Sequence, residues 1–156
     1  MCSSDLTGEF TCSIATYDLR HGMNMSSAPV SAGVDEFELA GLTPAASRMV
    51  APPRVAECPA ALECKVWKIL PLPENDGNPE LSTIMVLGTV VSVYIDDRYI
   101  KDGLVDQGAM KPLARLGYMD YATVTPEVMF ALNRPDVAAD GKTATVDTRP
   151  WDGVYR

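Results

Sequence analysis

Between positions 9 and 16, Phe10, Cys12 and Ile14 alternate with Thr11, Ser13 and Ala15. Successive side chains of a strand point to opposite faces, so this period of two predicts a half-buried β-strand. Thr16 or Asp18 then offers a side-chain oxygen to cap a short helix running through Asn24, with Leu19 and Met23 on it. Residues 26–33 are small and include Pro29, which predicts a loop. Asp35 starts a second short helix carrying Phe37, Leu39 and Ala40, and Gly41 suits the left-handed position that ends it. Residues 43–53 read as loop, with Pro52-Pro53 forcing extended backbone. Residues 60–70 predict a strand with Leu62, Cys64 and Val66 on one face. The cluster 74–79 (Glu-Asn-Asp-Gly-Asn-Pro) predicts a turn. The strongest strand signal spans 83–96. Strict alternation puts Met85, Leu87, Val91, Val93 and Ile95 on one face and Val86, Val90 and Tyr94 on the other. Both faces are apolar, so both are expected to be covered. The two strands and their turn predict an antiparallel pair. Residues 101–103 break the chain, 106–116 has room for a helical turn or two, and 127–132 suggests another short helix. The polar tail after Pro135 carries Val137 and the apolar positions of 144–146 without a clear element. Several strands, short helices and many turns make a β-rich single domain, and a closed or split barrel removes the exposed edges such a chain would have.

Composition narrows the chemistry mainly by exclusion. The chain has 156 residues, enough for one domain with its own core. Its net charge of −8, with no basic run longer than two residues, disfavours nucleic acid, whose binding requires phosphate neutralisation. Cys2, Cys12, Cys58 and Cys64 contain no C-x-x-C pair, and the single His21 is distant from all of them, so no metal site is expected. Reduced thiols in a cytoplasmic protein are the simpler reading. No apolar run is long enough to cross a membrane as a helix, and no secretory signal opens the chain. Neither a nucleophile–base pair nor a phosphate loop is visible, so no catalytic residue is assigned.

Three segments carry a likeness: Val34 through Pro44 (Val-Asp-Glu-Phe-Glu-Leu-Ala-Gly-Leu-Thr-Pro), Pro53-Arg54-Val55-Ala56-Glu57, and Ala114-Arg115-Leu116-Gly117 with Tyr121. In order and wording they resemble the flavin reductase-like, FMN-binding domain family, over roughly residues 7–135. The resemblance implies a split β-barrel, incomplete at its N-terminus, and a homodimer with FMN near the subunit interface. It also implies hydride transfer from NAD(P)H to flavin, with reduced flavin passed on to a monooxygenase partner. Residues 1–6 show no periodicity and match what a common sequencing-adapter end would encode, so they are expected to be non-native. Residues 136–156 are expected to form a C-terminal tail. Family strands that would precede residue 9 have no counterpart, which predicts weak FMN binding or none, uncovered apolar faces and poor solubility for the chain by itself.

Flavin chemistry asks little of protein acids and bases; the protein positions the ring and anchors the phosphate. Asn24, Ser26 and Ser27 resemble the family's Met-Asn-x-(Ser/Thr)-Ser stretch, which implies contact with FMN. Their alternative role is local turn bonding. Arg115 supplies a planar, permanently charged fork, and Tyr121 an aromatic ring with a hydroxyl. Gly117 permits close approach or positive φ. The resemblance puts this segment near the flavin; the alternative pairs Arg115 with a surface carboxylate and buries Tyr121. Where the family often has a second glycine, this chain has Tyr118. Phe37 is expected in the core, Arg134 to tie down the tail, His21 exposed on its helix, and Trp67 and Trp151 in packing or dimer contacts. The rival functional class is a non-catalytic split-barrel binding module. A third option, an oxidase of a pyridoxine-like substrate, finds no phosphate site here.

Overall fold

A computed structural model describes residues 7–72 and 83–153. Its centre is an antiparallel sheet in the order β1 (Glu9–Ser13), β4 (Ala60–Pro71), β5 (Ile84–Ile95). The four remaining strand pairs are short ribbons: β2 (Pro44–Ala45) with β3 (Arg54–Val55), β6 (Ile100–Lys101) with β7 (Leu104–Val105), β8 (Leu113–Arg115) with β9 (Tyr121–Thr123), and β10 (Asp136–Val137) with β11 (Ala144–Thr145). Helices are few and short: α1 (Arg20–Met25), α2 (Glu36–Ala40) and α3 (Gln107–Met110). The mainly β class and the long antiparallel pair agree with the sequence reading. The turn expected at 74–79 and the residues expected to be non-native at 1–6 lie outside the described residues. Among the described residues no helix is long and apolar enough to cross a membrane.

Helix α2 forms as its residues dictate. The Asp35 carboxylate accepts from the Phe37 N–H at 2.8 Å, and Gly41 closes the helix at φ 65°. Helix α1 departs from expectation. Neither Thr16 nor Asp18 caps it; Leu19 stands at the N-cap without a side-chain bond. Thr16 is instead buried, in an antiparallel bridge to Pro112, so its position serves a long-range join. The expected loop 43–53 contains the strand β2. The helix expected over 127–132 shrinks to a 3-10 turn at Pro126–Val128. Residues 106–116 split into α3, capped by Asp106 through the Ala109 N–H at 3.0 Å, and β8.

The long strand pair corrects the alternation assigned to β5. Leu62 pairs with Val93, Glu63 with Ser92 and Cys64 with Val90, so Val91 is an extra residue on β5. A second shift leaves Trp67 as the extra residue on β4. A bulge resets the period of two, so Val90 and Val93 share the face of Leu62, Cys64 and Val66 rather than lying on opposite faces. On β1 the same face carries Phe10 and Cys12, opposite Cys64 and Leu62.

The other face carries Glu9, Thr11, Ser13 and Glu63 and is covered by the 43–57 segment. Glu63, only 2% exposed, accepts the Arg48 N–H at 2.9 Å and the Met49 N–H at 2.6 Å. Glu9 accepts the Ala51 N–H at 2.8 Å, Thr11 donates to the Pro53 carbonyl at 2.8 Å, and the Ser13 hydroxyl accepts the Val55 N–H at 3.1 Å. Arg54 stacks on the Tyr94 ring at 3.6 Å. Thr43 hydrogen-bonds to Glu57 at 3.1 Å and holds its carboxyl below the usual carboxylate range.

The apolar face is open by contrast. Leu62, Val90 and Val93 are exposed, as are Trp67, Ile69, Ile84 and Met85 further along the pair. The expectation that both faces of β5 are covered is not met within this chain. Among the described residues the buried apolar side chains are Val50, Cys58, Ala61, Cys64 and Met110. The packing that exists is tight. A Cβ built on Gly88 would lie 2.5 Å from Phe10 Cζ and 3.2 Å from Cys64 Cβ.

Two outcomes follow. Glu63→Ala removes the acceptor of two backbone donors and should lower stability by about 2–3 kcal/mol, read as a shift in the urea midpoint, with faster proteolysis within 46–53. Gly88→Ala should cost about 1–3 kcal/mol through overpacking against Phe10. A double mutant with Phe10→Leu should recover most of that loss, giving a large coupling energy in a double-mutant cycle.

Candidate functional site

The site is assembled from two distant segments joined by backbone. The Leu113 N–H donates to the Ala15 carbonyl at 3.0 Å, and the Tyr17 N–H donates to the Lys111 carbonyl at 2.9 Å. With the Thr16–Pro112 bridge between them, these bonds hold the exit of β1 against the entry of β8. Thr123 closes the second wall by donating its hydroxyl to the Lys111 carbonyl at 3.1 Å. The result is a hollow of about 350 Å³ lined by Tyr17, Arg20, His21 and Asn24 on one side and by Tyr121 and Thr123 on the other. That is within the usual range for a small-molecule site, about 300–1,000 Å³.

Each wall carries an arginine stacked on a tyrosine. Arg20 lies over the Tyr17 ring at 4.0 Å and donates to the Tyr17 carbonyl at 2.6 Å. Arg115 lies over the Tyr121 ring at 4.6 Å. The same guanidinium donates to the Asp120 carbonyl at 3.2 Å and to the Tyr118 carbonyl. Arg115 thus ties the 116–120 loop to the ring it covers and pairs with backbone rather than a surface carboxylate. Tyr121 is 44% exposed rather than buried. One lining cation, Arg20, and two lining aromatic residues, Tyr17 and Tyr121, suit a planar, anionic ligand, through stacking and charge.

The predicted residues divide clearly. Asn24 and Tyr121, ninety-seven positions apart in sequence, line the same hollow. Arg115 braces Tyr121 from the β8–β9 ribbon. Ser26 and Ser27 are not part of the lining; they donate to the Met23 and Asn24 carbonyls at 2.8 and 2.7 Å, finishing α1. Gly117 sits in the loop with open space around it and without positive φ. The left-handed residue is its neighbour Tyr118, at φ 57°. Phe37 is half-buried. His21, expected to be an exposed helix residue, is exposed and also lines the hollow. Tyr17 and Arg20 were not anticipated. Their separation of three residues was the available signal, because it brings side chains together on a helical turn.

A larger hollow, about 690 Å³, lies in the tail and includes Arg134 and Trp151 in its lining. Its Arg149 is held by Asp147 at 2.7 Å and Asp136 at 3.1 Å. Hydrogen bonding to Arg149 keeps the Asp147 carboxyl down at about 2. This is a self-satisfied ion cluster on the exposed tail and lacks the paired aromatic walls. No group of His, Cys, Asp and Glu suited to a metal occurs among the described residues.

The family model of the flavin reductase like domain matches residues 5–114. The chain belongs to that family. Similar structures include nitrilotriacetate monooxygenase component B from Bacillus cereus, at 26% identity and TM-score 0.72, covering 83% of this chain and 62% of that one. A proposed flavin reductase with a split barrel domain from Shewanella frigidimarina is 27% identical at TM-score 0.65, covering 85% of this chain and 62% of that one. An uncharacterized protein of Halalkalibacterium halodurans is 32% identical over 131 residues, which is 84% of this chain and 61% of that protein. The chain therefore spans less than two thirds of the length of these relatives. The fold is that of the flavin reductase-like split barrel. The family match ends at Ala114, so the wall carrying Arg115 and Tyr121 lies just past it.

The backbone at Tyr118 gives a direct check on the hollow's outer loop. Side chains with a Cβ are disfavoured in the left-handed region by about 1–2 kcal/mol, and Tyr118 is 95% exposed, so little packing offsets this. Tyr118→Gly should raise stability by about 0.5–1 kcal/mol in chemical denaturation, leaving the Arg115–Tyr121 stack in place by NMR.

Proposed function

We propose that this flavin reductase-like domain binds FMN in the hollow between α1 and the β8–β9 ribbon. The parent protein transfers hydride from NAD(P)H to the flavin. The observation that carries the reading is the hollow itself: Tyr17, Arg20, Asn24 and Tyr121 line one space, in a chain of this family. Tyr121 would meet the ring, and Arg20 and Asn24 the phosphate. Arg115 would keep Tyr121 in place, while Ser26 and Ser27 hold the end of α1 and Gly117 forms part of the ribbon's turn. When bound, FMN supplies the electronics of hydride acceptance and onward electron transfer. The protein's own share is to bind and orient, which needs fixed charges and flat faces rather than a general base.

The wider setting is proposed in the same terms. A homodimer would cover the exposed Trp67, Ile69, Ile84 and Met85. A monooxygenase component as recipient of reduced flavin is favoured by the likeness to nitrilotriacetate monooxygenase component B. The cytoplasm, where nicotinamide nucleotides are available, is the matching compartment. The alternative is a non-catalytic split-barrel binding module.

The test uses protein expressed from the complete reading frame that contains this chain. Expected results are a yellow product, FMN binding in a fluorescence titration, and NADH or NADPH consumption with added flavin. Tyr121→Ala and Asn24→Ala should each weaken FMN binding by about tenfold, equivalent to about 1.4 kcal/mol. Flavin binding without nicotinamide oxidation would leave the binding module standing. A colourless product indifferent to flavin would overturn the assignment.

A further inference from the structure

We propose that Cys12 and Cys64 form a redox modification site, a cross-strand thiol pair that a hydroperoxide closes to a disulfide. The pair lies in the central sheet and not in the hollow lined by Tyr17 and Tyr121, so the proposal does not depend on the flavin reading. Strand register supplies the first ground. Phe10 faces Cys64 and Cys12 faces Leu62, which puts the two cysteines diagonally opposite on one face of β1 and β4. Diagonal neighbours in an antiparallel pair have Cα atoms about 7–8 Å apart with Cβ atoms nearer. A disulfide spans up to about 6.8 Å between Cα atoms, so closure needs only a small approach of the strands. One of the two register shifts against β5 falls immediately before Cys64, where the strand pairing is locally irregular.

The second ground is the contrast in access. Cys12 is exposed, whereas Cys64 is 3% exposed and packs under Phe10 beside Gly88. Both thiols are free. Burial, reinforced by the neighbouring Cys12, pushes the Cys64 thiol up, so Cys64 keeps its proton. Cys58 has a different environment: its buried thiol donates to the Ile14 carbonyl at 3.1 Å.

The roles divide accordingly. The Cys12 sulfur, as thiolate, attacks one peroxide oxygen; an S–O bond forms and the O–O bond breaks. The displaced oxygen leaves as hydroxide and takes a proton to become water, or an alcohol if the peroxide is organic. Cys64 then gives up its proton and its sulfur attacks the Cys12 sulfur. The S–S bond forms, the S–O bond breaks, and the hydroxyl group leaves as water with that proton. Two thiols are oxidised by two electrons in all, and the peroxide is reduced by the same two. The bond would fasten β1 to β4 across the face that Phe10 covers.

The test is peroxide treatment of the native chain at near-stoichiometric hydrogen peroxide, followed by peptide mapping. The expected product has lost two hydrogens, yields a peptide pair linking Cys12 to Cys64, and returns to the starting mass with dithiothreitol. In Cys64→Ser the sulfenic acid at Cys12 should persist and be trapped by dimedone, and Cys64→Ala provides a second background should the hydroxyl disturb folding. Cys12→Ser should abolish the link and leave Cys64 unmodified. Oxidation of wild-type Cys12 to sulfinic acid without a link, a link to Cys58, or a Cys12–Cys12 link between chains would overturn the proposal.

Discussion

A carboxylate with almost no access to water organises one side of this molecule. Removing Glu63 from water carries a cost of several kcal/mol that only short, well-aligned hydrogen bonds offset. It finds them in two consecutive backbone N–H groups, at Arg48 and Met49. The 43–57 segment has little regular structure of its own, so these bonds, with those to Glu9, Thr11 and Ser13, decide where it lies. Its polar backbone explains why a sheet face built from Glu, Thr and Ser is the covered one. Beside the buried Val50, side-chain acceptors and donors reaching loop backbone hold this layer.

The opposite face inverts the usual arrangement. Phe10, Leu62, Cys64, Val90 and Val93 share it, yet only Cys64 among them is buried. Apolar side chains in register across three strands are a core surface by composition, and here they meet solvent. This exposure accords with a chain that spans less than two thirds of its relatives' length. The stability of the sheet therefore leans on β4–β5 pairing and on the Phe10–Gly88 contact more than in a closed barrel.

Much of the fold was legible because its signals were local. Asp35 and Gly41 bracket α2 as capping chemistry requires, and the long alternating runs gave β4 and β5. Alternation then failed at Val91 and Trp67, because a bulge adds one residue and leaves no mark in hydrophobicity. Capping logic failed at Thr16 for another reason: a residue able to cap a helix was taken up in a bridge to Pro112, a partner invisible to any local window. The helical turn expected within 106–116 forms at Gln107–Met110, while the strand at Leu113–Arg115, paired with Tyr121–Thr123, was not foreseen.

The same division governs the candidate site. Arg115, Tyr121 and Asn24 were readable from the family likeness; that a tight ribbon sets Arg115 opposite Tyr121 was not. Their meeting with Tyr17, Arg20 and His21 was not, because it depends on the two backbone hydrogen bonds between residues 15–17 and 111–113. Those bonds would also let the proposed site be specific through spacing. A flat aromatic ligand with an anionic tail is discriminated by the spacing of surfaces and charges, and spacing is set by the backbone. Moving Tyr121 by a fraction of its ring width would alter recognition without changing any residue type at the site. Under the proposed function, the Thr16–Pro112 join would therefore bear on ligand choice as much as the side chains lining the hollow.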